Sequence, residues 1–388
     1  MKHTRPLTSA AALLSLIAAS LLGPTVANAT PDARSGDTHV VAAGGSVGTP
    51  EVLATGLQGA SGGTIGPDGA LYVVEGITGE ITRVDRRTGT MSTYATGLPE
   101  RVIEGLGGAI DVAFRGDTAY VLVTVVGPDV GGTAIDGIYR MDDADSFTVI
   151  ADIGQHAVDN PPTFDFEIEV ERGVQYALET VRGGFLVTDG HLNRVLYVGT
   201  DGGIREIVDF PNVVPTGIEA SRGRIHIALA GPVPHSPEDG RIVALSRRDG
   251  EPRDVASGYS LLVDVERNRC ALYALSQGDS PGAVPAGSPA LPDSGELLRV
   301  ERDGTLSVVA NGLDLPTSVD FVRDTAYVVT LAGEVLRIRN VSHGDRSHHD
   351  TSAGNASHDE ALDEGQDSAQ VQGYGYGHRR GCGGGHHH

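Results

Sequence analysis

The stretch Gly-Pro-Asp-Gly-Ala-Leu-Tyr-Val-Val at residues 66–74 joins a turn sequence to a run of apolar and β-branched residues. Proline and glycine around an aspartate are typical of a tight turn, and the run after them is typical of a strand. The same pattern recurs at residues 116–121, 182–187, 222–227, 269–273 and 323–328. Six copies at a spacing of about fifty residues predict a repeat architecture.

Each copy is followed by another strand-like segment, which we interpret as the third strand of a four-stranded meander. These segments are residues 80–85, 137–141, 193–198, 241–245, 296–300 and 334–338. A fourth strand follows in the first five units and is missing from the sixth. The missing strand is supplied by residues 50–57, which resemble the fourth-strand segment at residues 306–313.

Pairing residues 50–57 with the last unit closes the repeats into a ring and removes two exposed sheet edges. The sequence therefore predicts an all-β fold, a six-bladed β-propeller over residues 50–340. The alternative, a linear stack of repeats, would require polar caps at both ends rather than a split unit.

The two ends of the chain differ from the repeats. Residues 1–29 combine a basic start, an apolar run and an Ala27-Asn28-Ala29 site, which predicts a secretory signal peptide cleaved near Ala29. We therefore expect a secreted or extracytoplasmic protein with a flexible segment at residues 30–49. Residues 341–388 are rich in Ser, Asp, Gly and His, which predicts a disordered tail that could also capture a soft or borderline metal.

The overall composition limits the possible partners. The formal net charge is −22, so the chain repels phosphate backbones, and we expect no nucleic-acid partner. No segment after the predicted signal approaches eighteen consecutive apolar residues, so we expect no membrane span. An acidic surface favours cations, although it also serves solubility alone.

Long loops are predicted on one face of the propeller, at residues 126–136, 230–239 and 277–294. Loops gathered on one side of a rigid scaffold are places where recognition is built. We expect this face, with His235 in the second loop, to bind an unknown small molecule, glycan or protein. Decoration without a ligand is the alternative.

A tight turn on the same face contains Asp189, His191 and Asn193, and Glu75 lies at the corresponding end of the first unit. Together with His235, these side chains are the predicted ligand-binding residues. Asp and Asn also satisfy backbone groups of turns, which leaves a purely structural role open.

The innermost strands carry four carboxylates, Glu179, Glu219, Asp264 and Asp320. Glu179, Glu219 and Asp320 share one register, seven residues before the matching position of the next strand. Like charges near the axis require a cation, a proton or basic neighbours. The sequence thus predicts a possible Ca²⁺ or other divalent cation in the central channel, with hydrogen bonding to the neighbouring blade as the alternative.

Residues 66–73, 189–195 and 214–218 resemble the NHL-repeat and gluconolactonase-like six-bladed propellers. More narrowly, the arrangement looks like the ScyD/ScyE family of scytonemin-biosynthesis-type exported propellers. That resemblance implies export and a non-enzymatic binding or accessory role. Gluconolactonase-like enzymes hold a channel metal with a Glu from the first innermost strand, but residues 61–65 contain no carboxylate.

Two alternative functions therefore remain open. One is a metal-dependent hydrolase of the gluconolactonase type, which would use a rearranged ring of axial carboxylates. The other is an extracytoplasmic metal binder that uses the His-rich tail.

Overall fold

The turn at residues 66–70 forms as its sequence dictates. Gly69 has φ +80°, a conformation that glycine adopts without steric cost. Its N–H donates to the Gly66 carbonyl at 2.9 Å, and the Ala70 N–H donates to Asp68 Oδ1 at 2.9 Å. The apolar residues after this turn then form a fully buried strand.

The computed structural model describes residues 48–163, 170–233, 235, 238–246, 250–282 and 289–342. The first strand, β1, is Glu51–Thr55, and the chain then builds blades one to three: β2 (Ala60–Ile65), β3 (Leu71–Glu75), β4 (Glu80–Val84), β5 (Met91–Ala95); β6 (Gly108–Arg115), β7 (Thr118–Thr124), β8 (Gly137–Asp143), β9 (Ser146–Asp152); β10 (Gln175–Val181), β11 (Gly184–Asp189), β12 (Arg194–Gly199), β13 (Ile204–Asp209). Blades four to six follow: β14 (Pro215–Ser221), β15 (Arg224–Leu229), β16 (Gly240–Ser246), β17 (Pro252–Tyr259); β18 (Leu262–Asn268), β19 (Ala271–Ser276), β20 (Gly295–Val300), β21 (Leu306–Leu313); β22 (Pro316–Val322), β23 (Thr325–Thr330), β24 (Glu334–Arg339).

Six separate four-stranded sheets form the blades of a propeller, which confirms the predicted fold class. Five blades are consecutive antiparallel meanders, and the sixth has the order β1-β24-β23-β22. Strand β1 pairs antiparallel with β24, with Glu51 opposite Arg337 and Thr55 opposite Glu334. The N-terminal strand therefore closes the ring, as the sequence predicts.

The hydrophobic core is divided among the six blade interfaces. Each interface holds a cluster of buried side chains drawn from the two blades that meet there. Tyr72 and Val121 belong to the cluster between blades one and two, for example, and Tyr327 and Val73 belong to the one at the closing seam. Burial of these apolar surfaces stabilises the ring at every interface.

The innermost strand of each blade starts at the face that also carries the loop between its second and third strands. The loops β7–β8, β15–β16 and β19–β20 thus share this face, which we call the long-loop face. The β9–β10 connection also lies here and contains a short helix, α1 (Ile153–Asp159), which the sequence did not predict. Within the described residues, no helix is long and apolar enough to cross a membrane.

Candidate functional site: an acidic channel along the propeller axis

A cavity of about 300 Å³ runs between the six innermost strands. Residues of β2, β6, β10, β14, β18 and β22 all line it. At the long-loop face it reaches Ala230 and Gln277, which follow the second strands of blades four and five. The cavity therefore extends toward the face where the long loops gather.

Strand pairing places the acidic residues of the innermost strands in two adjacent levels. The lower level contains the residues that occupy one shared register: Thr64, Ala113, Glu179, Glu219, Glu266 and Asp320. The upper level, two residues nearer the long-loop face, contains Gly62, Asp111, Ala177, Gly217, Asp264 and Ser318. Asp264 therefore lies one level above the other three predicted carboxylates.

The two carboxylates of the upper level each accept a hydrogen bond from a backbone N–H of the next blade. Asp111 accepts the N–H of Leu178 in blade three at 2.7 Å and that of its neighbour Val112 at 2.8 Å. Asp264 accepts the N–H of Val319 in blade six at 2.8 Å. Because blades two and five face each other across a six-membered ring, these two interblade hydrogen bonds are on opposite sides of the channel.

The lower level repeats the arrangement in blades three and six. Asp320 accepts the N–H of Ile65 in blade one at 2.7 Å, across the closing seam. Glu179 accepts the N–H of Ala220 in blade four at 3.2 Å. Carboxyl oxygens in both levels thus accept hydrogen bonds from the neighbouring blade. This is the role that the sequence left open as the alternative to binding a cation.

Most of the carboxyl groups in the channel resist ionisation. Burial raises the pKa of Asp264 to about 7, although the N–H donors of Val319 and Val265 partly oppose the shift. Burial likewise raises the pKa of Glu179 to about 7, and the charge of Glu219 adds to it. The pKa of Asp111 lies well above its ordinary value for the same first reason, and that of Asp320 is also raised.

Glu266 is an acidic residue of the channel that the sequence interpretation missed. It pairs with Tyr273 seven residues later, which is the register of Glu179 and Glu219, so the repeat itself contained the signal. Its carboxyl group accepts no hydrogen bond from any described residue, and it lines the cavity. Burial and then the nearby carboxyl groups, Asp320 first, raise its pKa well above the ordinary value.

Glu219 differs from the other members of the lower level because it turns away from the cavity. Its Oε2 lies 2.9 Å from His226 Nδ1, and its Oε1 lies 3.6 Å from Arg267 Nε. Burial opposes its ionisation, but the hydrogen bond with His226 and the nearby Arg267 outweigh burial and lower its pKa. Glu219 is therefore the ionised member of the set.

The predicted metal-binding residues are thus all near the axis but have different partners. Across the part of the chain that the structure describes, no group of three or more His, Cys, Asp or Glu side chains is placed to hold a metal ion. A divalent cation bound by Glu179, Glu219, Asp264 and Asp320 stays a prediction.

Above the carboxyl groups, the mouth of the cavity is apolar. Tyr176, Val214 and Leu261 line it and belong to one cluster that also contains Leu315. Leu261 and Leu315 adopt the left-handed region, with φ +43° and +46°, where the corresponding residues of blades one and two are glycines. Such conformations cost of order 1–3 kcal/mol and persist where the surrounding structure holds them, and both leucines are buried in this cluster.

The predicted ligand-binding residues on the long-loop face bond mostly to groups of their own blades. Glu75 accepts the N–H of Gln58 at 2.6 Å, and buried Asp189 accepts those of Val174 and Leu192, both at 3.1 Å. Asn193 is buried with φ +53°. These three side chains satisfy backbone groups or turn geometry, the structural role left open by the sequence.

The two histidines of that set occupy different surroundings. His191 Nε2 accepts the N–H of Val170 at 3.1 Å, and burial lowers its pKa. His235 lies in the second long loop, where its carbonyl accepts the Ser280 hydroxyl at 3.2 Å. A ligand-binding role for all five residues stays a prediction.

No family model and no curated protein matches the chain. Among solved structures it is similar to a gluconolactonase from Xanthomonas campestris, with TM-score 0.51 and 12% identity over 75% of this chain and 89% of that chain. It is also similar to the PQQ-bound aldose sugar dehydrogenase from Streptomyces coelicolor, with TM-score 0.47 and 15% identity over 75% of this chain and 98% of that chain.

These likenesses show the fold alone. The neighbours are six-bladed propellers of the gluconolactonase and sugar dehydrogenase types, and sequence identities of 12% and 15% transfer no activity to this chain. The narrower resemblance to the ScyD/ScyE family stays a prediction.

Proposed function

We propose that the protein is a binding propeller that takes a small organic molecule, uncharged or cationic, into its axial channel from the long-loop face. The observation that carries this proposal is a single cavity of about 300 Å³ with an apolar mouth and carboxyl groups below it. Small-molecule sites commonly combine apolar walls with a few convergent polar groups.

The charge of the channel determines which ligands it favours. Glu266 has no hydrogen-bond partner among the described residues, and the pKa values of Glu179 and Asp264 are about 7. A cation in the cavity would stabilise the ionised carboxylates, whereas an anion would be repelled by them. Cation binding should therefore release protons and strengthen as the pH rises from 6 to about 8.

Three probes with the same ring test this proposal: benzylamine, benzyl alcohol and benzoate. We expect benzylamine to bind most tightly, with an affinity that rises with pH, and benzoate to bind least. Calorimetry in two buffers of different ionisation enthalpy would measure the released protons. Benzoate binding as tightly as benzylamine would contradict the proposal.

Two variants locate the binding. Ala177→Phe fills the upper level of the channel and should abolish binding of all three probes, and Glu266→Gln should weaken benzylamine selectively. Glu251→Gln, an exposed substitution outside the cavity, is the matched control. Unchanged binding in Ala177→Phe, with the fold verified by circular dichroism, would place the ligand elsewhere.

A second candidate is a hydrolase that uses the same channel. It is favoured by Glu179, whose pKa of about 7 suits a general acid or base at neutral pH. Two results would support the metal-dependent form. Wild type should turn over a lactone and Glu179→Gln should not. Chelator treatment should abolish turnover in wild type, and a divalent metal should restore it. If Glu179→Gln turned over the lactone as fast as wild type, this candidate would be excluded.

We further propose export through the predicted signal at residues 1–29 and a ScyD/ScyE-like accessory role outside the cytoplasm. The signal sequence supports export. The predicted tail at residues 341–388 lies outside the described residues except for residues 341 and 342, and residues 1–47 also lie outside them. Elemental analysis of the protein with and without residues 343–388 tests the tail as a metal binder. Metal retained only by the full chain assigns it to the tail.

A further inference from the structure

A second cavity, of about 380 Å³, lies on the face opposite the long loops, where blade one meets blade six. Its walls come from two turns of blade one and from the ends of β23 and β24. Five arginines line it: Arg83, Arg86, Arg87, Arg337 and Arg339. We call this cavity the arginine pocket.

This concentration of positive charge is unusual for the chain. The net charge is −22, and the sequence has no lysine after Lys2, so basic side chains are scarce and all of those described are arginines. Only two carboxylates, Asp68 and Asp85, line the arginine pocket. Glu51 adds a third from the closing strand by pairing with Arg337 at 2.6 Å.

Three of the five arginines already pair with carboxylates, although two of them share one. Arg83 pairs with Asp68 at 2.7 Å, and Arg337 and Arg339 share Glu51 at 2.6 and 3.5 Å. Asp85 is used by its own turn, where Oδ1 accepts the N–H groups of Arg87 and Thr88 at 2.9 Å. The carboxylates around the pocket are therefore committed to other partners.

Arg86 and Arg87 form no direct ion pair with a carboxylate among the described residues, although at longer range Arg86 acts on Asp320 and Arg87 on Asp85. Arg86 is half-buried, donates its Nε–H to the Gly69 carbonyl, and lies 5.4 Å from the centre of the Tyr327 ring. These contacts fix its position but leave its terminal amino groups without an acceptor. Arg87 is exposed and follows it directly.

We infer that the arginine pocket binds a tetrahedral oxyanion, phosphate or sulfate, free or as the ester of a small molecule. Guanidinium groups are planar donors that bind such oxygens in pairs. Arg86 is held in place by Tyr327 and Gly69, so little side-chain entropy remains to be lost on binding.

Binding at this place should also stabilise the closing seam. Arg337 donates to the carbonyls of Arg86 and Arg87 at 3.1 and 3.4 Å and to Glu51 of β1. The turn that carries the two unpaired arginines is thus bonded to the residue that holds the closing strand. An anion bound to this turn adds contacts that strengthen the junction between β1, β24 and blade one.

The experiment measures the binding of inorganic phosphate and sulfate by calorimetry and thermal unfolding, at constant ionic strength with chloride as the reference. We expect saturable binding to wild type, at least about tenfold weaker in the double variant Arg86→Gln/Arg87→Gln. Arg205→Gln is the matched control, because Arg205 also lies over a tyrosine, at 4.6 Å from the Tyr197 ring, and is exposed in blade three.

Phosphate and sulfate also stabilise proteins without binding, by exclusion from the surface. An equal rise in melting temperature in wild type, the double variant and Arg205→Gln would therefore overturn the inference. Phenyl phosphate binding more tightly than phosphate would assign the site to an ester, and equal binding would assign it to the free ion. Acetate binding as tightly as phosphate would overturn the choice of a tetrahedral anion. The channel ligand plays no part in these measurements.

Discussion

At the scale of single residues, Glu219 and Glu266 occupy the same register but have opposite electrostatic environments. Glu219 is ionised and lies beside His226 and Arg267. The substitution Glu219→Gln removes its charge and leaves Arg267 beside a neutral amide. We predict that Glu219→Gln lowers the free energy of unfolding by about 2–4 kcal/mol, since a mostly buried ion pair is broken on one side. Urea unfolding at pH 7 measures it, with Glu251→Gln as the exposed control.

Glu266 should behave in the opposite way because burial and the neighbouring carboxyl groups raise its pKa well above the ordinary value and so favour the neutral acid. Replacing a neutral acid by an isosteric amide removes no charge, so we predict that Glu266→Gln changes the free energy of unfolding at pH 7 by less than about 1 kcal/mol. A loss as large as that of Glu219→Gln would show that Glu266 is ionised and paired.

The sequence predicted three of the four channel carboxylates that bond to a neighbouring blade, and it missed Asp111 and Glu266. Glu179, Glu219 and Asp320 were visible because each occupies one register of a recognisable repeat. Asp111, like Asp264, lies two residues from that register on a strand with the same bulge. The ion pair between Glu219 and Arg267 was not predictable, because Arg267 comes from the next blade.

At the scale of elements, the closing strand β1 has one buried residue, and its other residues are exposed or partly exposed. Ala54 is buried in the apolar cluster of the seam, whereas the side chain of Val52 is 54% exposed. We predict that Ala54→Asp lowers the free energy of unfolding by about 2–4 kcal/mol, since an unpaired charge enters the interface. Val52→Asp in the same strand should change it by about 0.5 kcal/mol or less.

Thermal unfolding and limited proteolysis near residue 55 measure this difference. Equal effects of the two substitutions would mean that β1 does not hold the ring closed. The strand itself was predictable, because residues 50–57 copy the fourth-strand segment of another blade. Helix α1 was not, because seven residues with a cap at Asp152 and two buried side chains give too short a pattern to distinguish from a loop.

At the scale of the whole molecule, the carboxyl groups of the channel should make the protein less stable as the pH rises. Carboxyl groups whose pKa is lowered on folding have the opposite effect. Burial raises the pKa values of Glu179 and Asp264 to about 7, above the value of about 4 expected in the unfolded chain. An acid whose pKa is raised on folding stabilises the protein while it is protonated. Its contribution is complete below the unfolded pKa and is lost as the pH rises through the folded pKa.

Other groups titrate in the same range, so the prediction concerns a difference between two proteins. Burial lowers the pKa values of His156, His191 and His235, which reduces stability as the pH falls below about 6.5. Burial also raises the pKa of Asp136 to about 6, which acts in the opposite sense to the histidines. All four groups are present in wild type and in the double variant Glu179→Gln/Asp264→Asn, and their effects cancel between the two. Asp111 and Glu266 are coupled to the replaced carboxyl groups, which raise their pKa values, so they add to the difference in the same sense.

We predict that the stability difference, double variant minus wild type, increases as the pH rises from 5 to 8. The increase should be roughly 2–3 kcal/mol for each of the two groups, because wild type loses the contribution of its protonated carboxyls and the variant has none to lose. Urea unfolding at several pH values measures it. The amide oxygens can still accept from Ala220 and Val319, whereas in Asp264→Asn the amide nitrogen replaces the oxygen that accepts from Val265, a cost that does not depend on pH. A difference independent of pH would mean that these carboxyl groups have ordinary pKa values, and the expected rise of cation affinity with pH would then lose its cause.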